Sequence, residues 1–74
     1  MIGKISRILR DKSYGFIWDG MSNEYYFFHK QTMASDSPIA FDGLKEGHTV
    51  SFEPKTRLIS GQEKTRAEEV CYLT

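Results

Sequence analysis

Seven of the nineteen residues between Lys12 and Lys30 carry Phe, Tyr or Trp rings, and His29 adds an imidazole. The rings fall into two runs, Tyr14 to Trp18 and Tyr25 to His29. Between them lies a polar segment that holds Asp19-Gly20 and Ser22-Asn23. Exposed rings suit one kind of chemistry. Their π faces stack on flat ring systems, and each nucleobase offers such a face for about 1–3 kcal/mol. Lys12 and Lys30 border the stretch, and cations beside such rings suit phosphates. Single strands are the natural ligand, because duplex bases are already stacked on one another.

Positioning those rings requires strands. Two aromatic runs divided by turn residues read as a β-hairpin. Alternation puts Tyr14, Phe16 and Trp18 on one face of its first strand, and Gly15 and Ile17 on the other. In the second strand Tyr25, Phe27 and His29 share a side, opposite Tyr26 and Phe28. Ile2 to Leu9 reads as the preceding strand. Ile5 and Ile8 stand three apart there, so a bend or bulge is expected. Residues 31–47 read as a connector, with Asp42-Gly43 and Glu46-Gly47 as turn signals and a helical turn around Gln31–Met33. Val50 to Glu53 alternates as a half-buried strand that Pro54 ends or places at an edge. Lys55 to Glu63 reads as a polar loop, and Thr65 to Tyr72 as the last strand.

Five short strands without a substantial helix point to a small all-β barrel. Its interior takes Ile5, Ile17, Tyr26, Phe28, Met33, Val50, Phe52, Ala67 and Val70. Tyr14, Phe16, Phe27 and His29 then lie outside as neighbours on two strands. The opposite assignment would make these rings the core. It is disfavoured because their face carries His29 between Lys12 and Lys30, while Gly15 and Ile17 would be exposed.

Seventy-four residues with 39% hydrophobic and 27% charged side chains predict one globular domain over 1–74 with a small core. No apolar run is long enough to span a bilayer, and no signal-peptide pattern opens the chain, so a cytoplasmic protein without membrane attachment is expected. The single Cys71 permits no internal disulfide. Ten basic and ten acidic residues balance overall. Residues 1–30 hold five cations against three acids, and residues 31–74 five against seven, so the small surplus lies beside the rings.

Catalysis finds no support. Neither His29 nor His48 has an evident nucleophile partner, and adjacent Glu68 and Glu69 would point to opposite faces. Two histidines and Cys71 without Cys-x-x-Cys spacing do not form a metal site. No enzyme activity, metal or cofactor is expected.

Gly3-Lys4-Ile5, then Lys12-Ser13-Tyr14-Gly15-Phe16-Ile17, then Tyr26-Phe27-Phe28-His29 resembles the cold-shock domain. That family's two ribonucleoprotein motifs read Lys-Gly-Phe-Gly-Phe-Ile and Val-Phe-Val-His-Phe. The likeness continues through Leu44-Lys45-Glu46-Gly47, Val50-Ser51-Phe52-Glu53 and Ala67-Glu68-Glu69-Val70, and so spans nearly the whole chain. It implies a five-stranded antiparallel OB-fold barrel that binds single-stranded RNA or DNA, with roles such as RNA chaperoning or regulation of transcription and translation. By position, the resemblance implies stacking at Tyr14, Phe16, Phe27, His29 and the loop residue Phe41. It also implies a basic rim at Lys4 and Lys12.

The sequence departs from the family where Arg7 replaces a tryptophan, Ser6 a basic residue, Leu9 an asparagine, Ser13 a glycine and Lys30 an aromatic. Its connector is also about three residues longer. Two rings are lost and two cations gained. Arg7 can still stack its guanidinium on a base, and Trp18 either extends the platform along the strand or covers the barrel end and leaves binding weak. The rival reading, from another class, is a protein-interaction or oligomerisation module with weak or lost nucleic-acid binding, in which the rings meet a protein partner, a homodimer being the simplest case.

Overall fold

β1 (Ile2–Leu9) has to place Ile5 and Ile8 inside despite their spacing, and a bulge does this. Ile5 pairs with Ile17 and Arg7 with Phe16, leaving Ser6 as the extra residue. Ile5 is then buried and Ile8 packs against the core. The same slip swings Arg7 onto the outer face, opposite Phe16. Gly15 makes room for it. A Cβ there would come within 2.5 Å of the Arg7 carbonyl oxygen and 2.9 Å of the Phe28 ring.

The structure, a computed structural model, describes residues 1–74. β2 (Tyr14–Asp19) and β3 (Glu24–His29) form the expected hairpin in continuous register, from Tyr14 opposite His29 to Asp19 opposite Glu24. Buried Asp19 shapes the turn by accepting from the Met21 N–H at 3.1 Å and the Ser22 hydroxyl at 2.8 Å. Asn23 occupies its left-handed position at φ 57°, a conformation that asparagine tolerates.

β4 (Thr49–Ile59) and β5 (Gln62–Tyr72) are much longer than Val50–Glu53 and Thr65–Tyr72. The expected polar loop over Lys55 to Glu63 is instead a paired ribbon. It is closed by Ser60 and Gly61, both at positive φ, as a two-residue hairpin turn requires. Pro54 does not end β4. β1 pairs with β4 only as far as Ser51, so Pro54 lies where that edge is open and no ladder bond is lost.

The sheet closes in the order β1-β2-β3-β5-β4. Closure corrects the all-antiparallel expectation: β3 and β5 run parallel, with Phe27 opposite Arg66 and a second bridge at Met33–Val70. The cause is the connector, which carries the chain across the barrel end between β3 and β4. The fold is an all-β OB-type barrel.

The core holds Ile5, Ile17, Tyr26, Phe28, Val50, Phe52, Ala67 and Val70, joined by Phe41 and Leu44 from the connector, with Met33 at its margin. A 310 turn at Phe41–Gly43 drives the Phe41 ring against Phe28, with centroids 5.8 Å apart. Arg10 fastens this plug by donating to the Leu44 carbonyl at 2.8 Å. Tyr26 keeps its ring inside while its hydroxyl donates to Glu24 at 3.2 Å. Burial, then the Glu24 carboxylate, raise its pKa above the usual tyrosine value.

Glu69 is strained within a strand. It sits at φ 52° where β5 spends two residues, Glu69 and Val70, against Phe52 of β4. That bulge position favours glycine. Left-handed backbone costs a side-chain-bearing residue about 1–2 kcal/mol, of which glycine's extra unfolded-state entropy returns up to about 1 kcal/mol. Glu69→Gly is therefore expected to raise the thermal midpoint by about 2–6 °C in a domain of this size, as measured by circular dichroism melting.

Candidate nucleic-acid interface

The hairpin register sets the outer rings in three cross-strand pairs: Tyr14 with His29, Phe16 with Phe27, and Trp18 with Tyr25. Tyr14, Phe16 and Phe27 form a tight trio. Their centroids lie 5.3 Å apart for Tyr14–Phe27, 5.9 Å for Tyr14–Phe16 and 6.0 Å for Phe16–Phe27. The two phenylalanines and Tyr14 against Phe16 meet edge to face, the favoured packing for rings. All three rings are half-buried, so they are held by neighbours yet open on one side.

β1 adds cations along the same face, with Lys4 opposite Trp18 and Arg7 opposite Phe16. On the far side Arg66 pairs in register with Phe27, and Lys55 with Arg66. One row therefore crosses five strands as Arg7, Phe16, Phe27, Arg66 and Lys55, two rings flanked by cations. Lys12 is exposed in the 310 turn of Arg10–Lys12, beyond the Tyr14 end.

His29 closes β3 and caps the turn that follows. Its Nδ1 accepts the Gln31 N–H at 3.1 Å, and the Thr32 hydroxyl donates to its carbonyl at 2.8 Å. In the neutral ring the proton is thereby left on Nε2, as a donor. Trp18 is held differently. Its Nε1 donates to Asn23 at 3.2 Å, and its ring lies over Gly20, where a Cβ would meet it at 3.0 Å.

One residue does not stand as expected. Phe41 is 1% exposed and packs on Phe28, so no face of its ring is open to a base. It belongs to the core because its 310 turn aims it inward over the barrel end. Lys30 is exposed but ion-paired with Asp42 at 3.6 Å, so its charge is partly offset. Conversely, Tyr25 is 63% exposed beside Trp18 and was not among the expected site residues. Its i, i+2 spacing to Phe27 and i, i+4 spacing to His29 already carried that signal.

A closed five-stranded barrel with an aromatic cluster on β2 and β3 defines an OB-fold nucleic-acid-binding domain. The chain matches the family model described as the 'Cold-shock' DNA-binding domain over residues 1–73, and it belongs to that family. The family is a nucleic-acid-binding, non-enzymatic one, and its fold implies single-stranded ligands. A comparison with curated proteins finds none that matches this chain. No helix is long and apolar enough to cross a membrane.

Proposed function

We propose that this module binds single-stranded RNA or DNA by stacking successive bases on Tyr14, Phe16, Phe27 and His29. Trp18 and Tyr25 extend the path at one end, while Lys4, Arg7 and Lys12 meet the phosphates. The observation that carries this reading is the register row in which Phe16 and Phe27 lie side by side between Arg7 and Arg66. Rings accept any base, and guanidinium groups at both flanks draw the backbone across them. Arg7 supplies a flat cation where the family's usual ring is missing, so binding relies more on charge. In the cell this activity suits a cytoplasmic protein that keeps RNA single-stranded or regulates transcription or translation.

Trp18 supplies the test. Titration with a pyrimidine-rich single strand is expected to quench its fluorescence at low salt. The slope of log affinity against log salt should approach −0.7 for each phosphate neutralised. No quenching by either RNA or DNA, together with a mass that rises with protein concentration in ultracentrifugation, would favour a self-associating aromatic surface instead.

A further inference from the structure

We infer that Arg7 makes the platform selective for guanine, its guanidinium fork reading the O6 and N7 edge of a base stacked on Phe16. The inference rests on the single-strand reading above and adds a base contact to the charge that Arg7 brings to it.

The bulge in β1 decides where this arginine stands. Ser6 takes up the extra residue, so Arg7 falls directly opposite Phe16 on the outer face. Side chains paired in this way start about 5 Å apart at their Cβ atoms, well within the length of an arginine stem. On its other sides Phe16 meets Tyr14 along β2 and Phe27 across on β3, with centroids 5.9 and 6.0 Å away. Toward β1 it borders Arg7, with Leu9 opposite Tyr14 and Lys4 opposite Trp18. A base lying on the open face of Phe16 therefore projects an edge toward the guanidinium.

Arg7 is also the one arginine that nothing holds. Of the chain's four, Arg10 donates to the Leu44 carbonyl at 2.8 Å, and Arg57 and Arg66 share Glu68 at 3.4 and 3.2 Å. Arg7 is exposed and has neither an ion pair nor a side-chain hydrogen bond. Its whole fork is free for a ligand. Arg66, at the other flank of the ring row, has its Nε committed to Glu68.

The shape of the free fork selects the base. Its parallel N–H groups fit two acceptors set side by side. Guanine presents such a pair at O6 and N7, the commonest base contact of arginine. Adenine sets an N6 donor beside its N7, and thymine and uracil set an N3 donor between their carbonyls, so each opposes a donor to the fork. Cytosine does pair N3 with O2, but a single ring that covers the phenyl overhangs it less than a purine does. Lys4 and Lys12 are point charges, which serve phosphates without regard to base.

The test uses strands of thymine or uracil, about seven nucleotides long, that differ at one central position. Guanine there is expected to bind at least about five-fold more tightly than thymine, uracil, adenine or cytosine. Replacing it with 7-deazaguanine, which puts a C–H where N7 was and keeps the stacking surface, should remove most of that gain. Hypoxanthine, which keeps O6 and N7 but lacks the N2 amine, should retain it. Arg7→Met removes the fork from an exposed position and should leave the fold intact by circular dichroism. It is expected to weaken every strand through the lost charge, and to bring the guanine strand within about two-fold of the others. Three results would each overturn the inference and leave the stacking reading intact. They are equal binding of guanine and 7-deazaguanine, a cytosine strand that binds as tightly as guanine, and a guanine preference that survives Arg7→Met. If the unmodified protein binds no strand, both fall together.

Discussion

Phe16→Ala combined with Phe27→Ala is expected to weaken single-strand binding by at least about 100-fold while leaving the barrel folded. Each ring contributes stacking of about 1–3 kcal/mol, and the two are adjacent on β2 and β3. Their removal also unseats Tyr14, whose ring rests against both. The fold should survive because both side chains are only half-buried, and the core beneath them, Ile17, Tyr26 and Phe28, is untouched. Electrophoretic mobility shift or fluorescence anisotropy measures the loss, and near-unchanged circular dichroism establishes the fold. Residual binding should be the salt-sensitive kind that cations alone provide. Full retention of affinity would place the nucleic acid elsewhere on the molecule.

Phe41→Ala tests a different property of an aromatic residue and should fail in a different way. The ring is fully buried at the barrel end, so its loss leaves a cavity and costs about 3–5 kcal/mol. A chain of this length has a total stability in the range of about 4–11 kcal/mol, and small domains sit near the low end. Most of the protein is therefore expected to melt at or near room temperature. Phe41→Leu keeps an apolar group in the site and should cost only about 1–2 kcal/mol, with binding preserved at temperatures where it is folded. A stacking role would give the reverse pattern, with Phe41→Leu folded normally and binding weakened. Urea denaturation paired with oligonucleotide titration separates the two.

Much of this molecule was legible in the sequence because one constraint wrote most of it. In a small barrel each strand has one wet face, so alternation sorted Ile17, Tyr26 and Phe28 from Tyr14, Phe16 and Phe27, and the flanking cations with His29 marked the second set as the outer one. The three-residue spacing of Ile5 and Ile8 even foretold the bulge, although not that it would turn Arg7 onto the ring face. Where alternation is silent, reading failed. The connector has no period, so nothing in it marked Phe41 and Leu44 as a plug, and likeness of position alone suggested a stacking role for Phe41. The ribbon failed for another reason. Thr56, Leu58 and Ile59 follow Pro54 and Lys55 and are broken by Arg57, which resembles a loop when neither side is buried. Its pairing comes from the Ser60-Gly61 turn, a two-residue hairpin signal that the polar flanks mask. Charge counted along the chain called that half acidic, whereas register gathers its cations on one face.

The parallel contact between β3 and β5 has a further consequence. It is the one place where the barrel is closed by partners far apart in the chain and bound through a single register pair, Phe27 with Arg66, plus the bridge at Met33–Val70. Segments joined so sparsely open locally before the rest of a fold does. On the proposed path, a single strand running from Arg7 over Phe16 and Phe27 to Arg66 would lie across that seam like a stitch. A strand that contacts both edges binds best when they are together, so by mass action it would hold them closed. Ligand occupancy and barrel integrity would then be coupled, the module most firmly shut when it is at work.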